Sequence, residues 1–138
     1  MFQSRDEIRR VYAKVWQKMQ QGQLLEPMEA LIAEVIESHP EYHPLLDDQA
    51  NIEQQEFIPE QGQTNPFLHM GMHIALREQA GSDRPPGIRP VYDRICAARG
   101  RHQAEHAMME CLGQSLWQAQ RDNRPPDETA YLECLKKL

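Results

Sequence analysis

Residues 65–79, NPFLHMGMHIALREQ, decide how this chain is read. Asn65 is a strong helix N-cap, and Pro66 suits the first helical position, where a missing N–H costs nothing. Behind them His69, Met72, His73, Leu76 and Ala80 recur at the spacing of one helix face, while Arg77 and Glu78 fall nearer the solvent side. Gly81 then stops the run. The stretch predicts an amphipathic helix whose inward face carries two imidazoles one turn apart.

The same grammar extends in both directions. Ser4 and Glu7 form a capping box ahead of Ile8, Val11, Tyr12, Val15, Trp16 and Met19, and Gly22 ends that helix. A second helix opens at Glu26-Pro27 and turns Met28, Leu31, Ile32, Val35 and Ile36 inward. His39 extends its face, but Pro40 pushes the residue before it out of helical geometry, so His39 sits at the helix end. Residues 40–64 are irregular, broken by Pro40, Pro44 and Pro59, with one short helix expected over Leu45–Glu53. Beyond a turn-rich linker from Gly81 to Pro90, a short helix is expected over Val91–Ala98. After Gly100 a long helix is expected over Arg101–Gln120, with His102, His106, Met109, Glu110, Gly113 and Trp117 on one side. Gly113 there would admit a close helix neighbour. Asp127 caps a last helix that turns Tyr131, Leu132, Leu135 and Leu138 inward. No alternating strand pattern competes. The expectation is a single all-α domain over residues 1–138, a helix bundle of four main helices with one long irregular connection and short extra helices.

Composition narrows the function. A net charge of −6, with 12 acidic and 5 basic side chains in residues 1–64, lacks the basic footprint of a nucleic-acid binder. Arginines 84, 89, 94, 99 and 101 form a local basic stretch, read first as a solvated, ion-paired surface and second as an anion site. No apolar run approaches the roughly 20 residues of a membrane span. The three cysteines, Cys96, Cys111 and Cys134, are odd in number and form no CxxC, and the N-terminus runs straight into a charged helix rather than a secretory signal. Free thiols in a reducing cytoplasm are therefore expected, with Cys111 and Cys134 as small core residues.

The histidines carry the chemistry. All six fall into pairs four residues apart: His39 and His43, His69 and His73, His102 and His106. Random placement would give about a quarter of one such pair, and residues four apart on a helix share a face that can hold one metal ion. Prolines around the first pair separate His43 from His39. The expected ligands are His69 and His73 from one helix and His106 and Glu110 from another, with His39 in support. The expected cofactor is a divalent transition metal, Zn, Fe, Ni or Mn, which this donor set does not discriminate. Glu110 lies among apolar residues, and burying a carboxylate there calls for a cation or good donors. Glu110 and His102 are the candidates for any proton transfer. No phosphate loop, nucleophile elbow, Glu-x-x-His di-iron motif or His-Glu-x-x-His zinc-protease motif is present.

The competing reading is a metal-free interaction or scaffold protein, a homo-oligomer whose His/Glu core network is structural. A hemerythrin-like iron sensor is a third, short of placed carboxylates. Neither reading names a small-molecule ligand.

The segments HPEYH (39–43), NPFLHMGMHIALREQ (65–79), PPGIR (85–89), EHAMMECLG (105–113) and RPPDETAYLECL (124–135) together resemble a family of small bacterial all-helical proteins classed as a domain of unknown function. The resemblance spans nearly the whole chain and implies a bacterial, cytoplasmic protein. It brings no activity, cofactor or catalytic residue with it. In architecture the chain is similar to hemerythrin-like and DinB-like bundles that hold a metal between histidines on adjacent helices, an analogy that assigns no function.

Overall fold

Helix follows helix in the computed structural model, which describes residues 5–54, 57 and 65–138. The elements are α1 (Arg5–Gln21), α2 (Pro27–Glu37), a 3-10 turn (Pro40–Tyr42), α3 (His43–Asp47), α4 (Pro66–Ser82), α5 (Ile88–Arg99), α6 (Arg101–Asp122) and α7 (Glu128–Lys136). Among the described residues there is no strand, so the class is all-α, as the periodicity predicts. The chain divides into two compact units, residues 1–71 and 72–138, and α4 runs through the division.

In the first unit, local chemistry sets the helix ends. Gly22, at φ 65°, takes the left-handed conformation that closes α1. Glu26 and Glu29 form a reciprocal capping box at the start of α2, with Pro27 in its first turn. The capping box expected from Ser4 lies outside the described residues. So does much of the long connection. Val15, Val35, Ile36 and Leu46 are fully buried, and removing each such side chain from water is worth about 1.5–3 kcal/mol. Lys18 pairs with Glu29 at 2.8 Å, tying α1 to α2. Trp16 Nε1 donates to Asp47 at 2.7 Å, tying α1 to α3. The short helix expected over Leu45–Glu53 starts earlier, at His43, and ends at Asp47, beyond which the chain continues in turns. Arg9 on α1 is buried, donates to the Ile52 carbonyl at 3.0 Å and lies over the Phe67 ring at 4.8 Å. Burial lowers its guanidinium pKa, and the aromatic face stabilises the cation in return.

In the second unit, α5, α6 and α7 enclose a core of Leu76, Ala80, Ile88, Val91, Tyr92, Ile95, Ala104, Met108, Leu112, Tyr131 and Leu135. The helix α5 is longer than the expected Val91–Ala98 because Ile88 is buried and Pro90 falls in the first turn, where backbone N–H groups have no helical acceptor. Gly100 at φ 81° is the single-residue break before α6. Asp127 accepts from the Ala130 N–H at 3.1 Å and caps α7. Gly113 does not serve a close backbone approach: the nearest atom to an added Cβ is the flexible Met72 Cε at 3.7 Å.

The thiols depart from expectation. Cys111 on α6 and Cys134 on α7 form a disulfide across a Cα–Cα distance of 5.8 Å, and only Cys96 remains free. The two helices pack with these side chains facing each other, which no spacing along the chain reveals. The argument for a reducing compartment built on three free thiols therefore falls away.

Candidate metal centre

In the first unit, His39 follows the last turn of α2, where Pro40 ends the helix. Its side chain is 1% exposed. The Nδ1–H donates to the Val35 carbonyl at 2.7 Å. A carbonyl only accepts, so the proton sits on Nδ1 and the Nε2 lone pair is the ring's ligating atom. The ring stacks on Tyr42, with centroids 5.4 Å apart, and meets the edge of His69 at 5.0 Å. His69 occupies the first turns of α4, whose start is held by Asn65 Oδ1 accepting from the N–H groups of Phe67 at 3.0 Å and Leu68 at 3.2 Å. His43 turns away from this pair. Its Nε2–H donates to the Ile36 carbonyl at 2.9 Å and its ring packs on Trp16 at 4.4 Å. The prolines do separate the two histidines of the first pair.

In the second unit, His73 on α4 is wholly buried, and its Nδ1–H donates to Glu105 Oε1 at 2.7 Å. Glu105, on α6, is also wholly buried. It further accepts from Arg77 Nε at 3.1 Å and from the Tyr92 hydroxyl at 2.6 Å, and Arg101 stands 3.8 Å away. Burial pushes this carboxyl's pKa up, but the hydrogen bonds from His73, Arg77 and Tyr92 and the Arg77 charge outweigh it and hold the group at about 2. Glu105 is thus a carboxylate at neutral pH, and it fixes the His73 proton on Nδ1. The His73 Nε2 lone pair becomes the ligating atom. A carboxylate or carbonyl behind the far nitrogen is the support that metal-bound imidazoles generally have, since it sets tautomer and ring orientation. Tyr92 is held as a phenol by burial and by its bond to Glu105. The His106 ring lies 5.1 Å from His73, and His102 packs 5.2 Å from His73 and 4.3 Å from His106.

The residues expected at the site are therefore placed unevenly. His39 and His69 meet in the first unit, and His73 and His106 meet in the second. Each half offers imidazole nitrogens of the kind that hold a transition metal. Glu110 does not join them. It is exposed on α6, about 40° further round the helix than His106. The buried carboxylate is Glu105. Arg77, expected near solvent, is only 9% exposed and is that carboxylate's partner. His102, expected at the surface near the start of its helix, is half-buried against the other two rings. The signal for Glu105 was present. It lies on the stripe of Ala104, Met108, Cys111 and Leu112, all buried, from which Glu110 is offset. Arg77 likewise falls in line with His73, Ile74 and Ala80.

No curated protein and no solved structure matches the chain. Residues 4–137 match the model of the family described as Domain of unknown function (DUF1841), and the chain belongs to that family.

Proposed function

We propose that the protein binds divalent transition metal through its imidazoles, those of His39 and His69 in the first unit and those of His73 and His106 in the second. The observation that carries this reading is the shared state of His39 and His73. Each is buried, and each spends its Nδ1 proton on a fixed acceptor, the Val35 carbonyl for one and the Glu105 carboxylate for the other. Both rings are thereby held as Nε2 donors. Two such rings, each beside a further histidine, are more than a helix-capping or packing role requires. Helix α4 carries His69 and His73 one turn apart on one face, the spacing of helical two-histidine metal motifs.

A nitrogen-only donor set suits Zn²⁺, Fe²⁺ or Ni²⁺ better than Mn²⁺, which prefers carboxylate and water oxygen. Neutral imidazoles would leave the ion its full positive charge. Glu105, behind His73, would raise the basicity of that ligand.

Elemental analysis of tag-free protein purified without chelator tests the reading. Near-stoichiometric metal is expected in the parent and in Glu110→Ala, with metal lost from His39→Ala and His73→Ala. Acidification should release the metal, because imidazole must be neutral to ligate. Absence of metal in the parent, with no visible absorption band on adding Co²⁺, would refute it. The Glu105 network favours the second reading, a structural core without metal, because it gives His73 an acceptor and Arg77 a counter-charge on its own. That reading expects a thermal midpoint indifferent to chelator.

A further inference from the structure

Helices α6 and α7 leave a groove between them, a pocket of about 360 Å³ within the second unit. The Cys111–Cys134 disulfide lies in its wall. The two cysteines differ in access: Cys111 is 4% exposed, whereas Cys134 is half-buried. Disulfides exchange by attack of a thiolate on one sulfur, and access helps decide which. Cys134 therefore presents the sulfur open to attack, and Cys111 the one that leaves. Helix α7 is held by more than this bond. Leu135 is fully buried, Tyr131 is buried, and the Tyr131 hydroxyl donates to Gln79 Oε1 at 2.7 Å. Arg94 donates to the Lys136 carbonyl at 3.1 Å and Arg99 to the Leu138 carbonyl at 3.4 Å. A helix anchored through its middle and at its end keeps the two thiols facing one another when the bond opens, so that it can form again.

We propose that Cys111 and Cys134 form an exchangeable dithiol–disulfide couple, and that the pocket admits a low-molecular-weight thiol to Cys134. The sulfur of the incoming thiolate bonds to Cys134 Sγ as the bond to Cys111 breaks. The electron pair leaves on Cys111, which takes up the proton that the attacking thiol gave up. A second equivalent of the thiol attacks the mixed disulfide at the first thiol's sulfur and releases Cys134 as a thiol. Two small thiols are thereby oxidised to one disulfide, and the protein's pair is reduced by two electrons. The reverse exchange with a small disulfide restores the bond. At about 360 Å³ the pocket falls within the roughly 300–1,000 Å³ of small-molecule sites. Its lining suits a polar thiol: Ser115, Gln118 and Lys137 bring hydroxyl, amide and ammonium groups, while Asp127 is engaged by the Ala130 N–H and Glu133 by Lys136. None of these residues is a proposed metal ligand, so the inference stands apart from the metal reading.

Incubation of the full chain with reduced glutathione, quenched at early times by acid, then alkylated and mapped by peptide mass spectrometry, tests it. The expected product carries glutathione on Cys134 and the alkyl label on Cys111. Its rate of formation should stay flat as urea is added below the unfolding transition, because attack from the pocket needs no opening of α7. Ala130→Trp sets an indole in the pocket from an exposed position and should slow the reaction about tenfold or more, since a displaced nucleophile loses its line of attack. Gln120→Trp, on α6 and not in the pocket lining, should leave the rate unchanged. Glutathione found on Cys111, a rate that climbs from the first addition of urea, equal rates in the two tryptophan variants, or a bond that resists glutathione until the protein unfolds would each overturn the proposal.

Discussion

Replacing Glu105 by glutamine keeps the shape of the side chain and removes only its charge. The structure makes that a severe change. Glu105 is wholly buried, and so nearly is the guanidinium of Arg77 that it neutralises, at 6% exposure. Taking one partner from a buried ion pair leaves the other charge uncompensated, at a cost of about 3–5 kcal/mol. The titration gives a second measure. A carboxyl held at about 2 against an ordinary 4.5 represents at most about 3 kcal/mol of stability at neutral pH, since solvent screening reduces it. The two figures agree in scale. For a chain of 138 residues a loss of 3–5 kcal/mol lowers the melting temperature by roughly 10–17 °C. Thermal and urea unfolding of E105Q at pH 7, followed by circular dichroism, reads this directly. The pH dependence has a definite sign. The folded pKa is depressed, so the contribution is complete above the unfolded value near 4.5 and is lost as pH falls towards about 2. The gap between parent and E105Q should therefore narrow through that window. Adding Arg77→Met to E105Q should restore part of the loss, because it removes the stranded cation. A stability of E105Q within about 1 kcal/mol of the parent at pH 7 would refute the argument, as would a gap that stays constant down to the acid limit.

The Cys111–Cys134 disulfide spans 23 residues of sequence, and closing such a loop is worth about 3 kcal/mol through the unfolded chain. Reduction, or the double change to serine, should lower the urea midpoint accordingly without loss of helical signal under native conditions. Asp127→Ala removes the side-chain cap of α7 and should cost about 1 kcal/mol, seen as a small fall in the same midpoint.

Much of the secondary structure was legible because its signals are local. Asn65-Pro66, Glu26-Pro27 and Asp127 start helices, and Gly22 and Gly100 end or separate them, through chemistry confined to a few neighbouring residues. The apolar stripe of α7 was likewise readable, since Tyr131 and Leu135 are buried as their spacing implies. The extents were less certain. The helix α5 begins three residues before the expected start, because the burial of Ile88 extends the helix backward through a proline that its first turn tolerates. Of the histidine pairs, His69 and His73 lie one turn apart on α4, as their spacing implies. They did not reveal which partner each ring had.

Glu105 and Glu110 show where the sequence stops. Both are glutamates in one apolar segment of α6, five residues apart. Helical spacing from His106 selected Glu110, while the packing of the second unit selected Glu105, on the stripe of Ala104 and Met108. Arg77 followed the same logic, a cation drawn inward because a buried carboxylate needed one. Chain order and residue chemistry thus determined the helical class, most helix ends and the presence of imidazoles on buried faces. Only the tertiary structure decided that Glu105 orients His73, that Arg77 is a core residue and that Cys111 meets Cys134. Caps and breaks act between neighbours in sequence, whereas desolvation and pairing depend on which groups packing brings together, across 32 residues for His73 and Glu105 and 23 for the two cysteines.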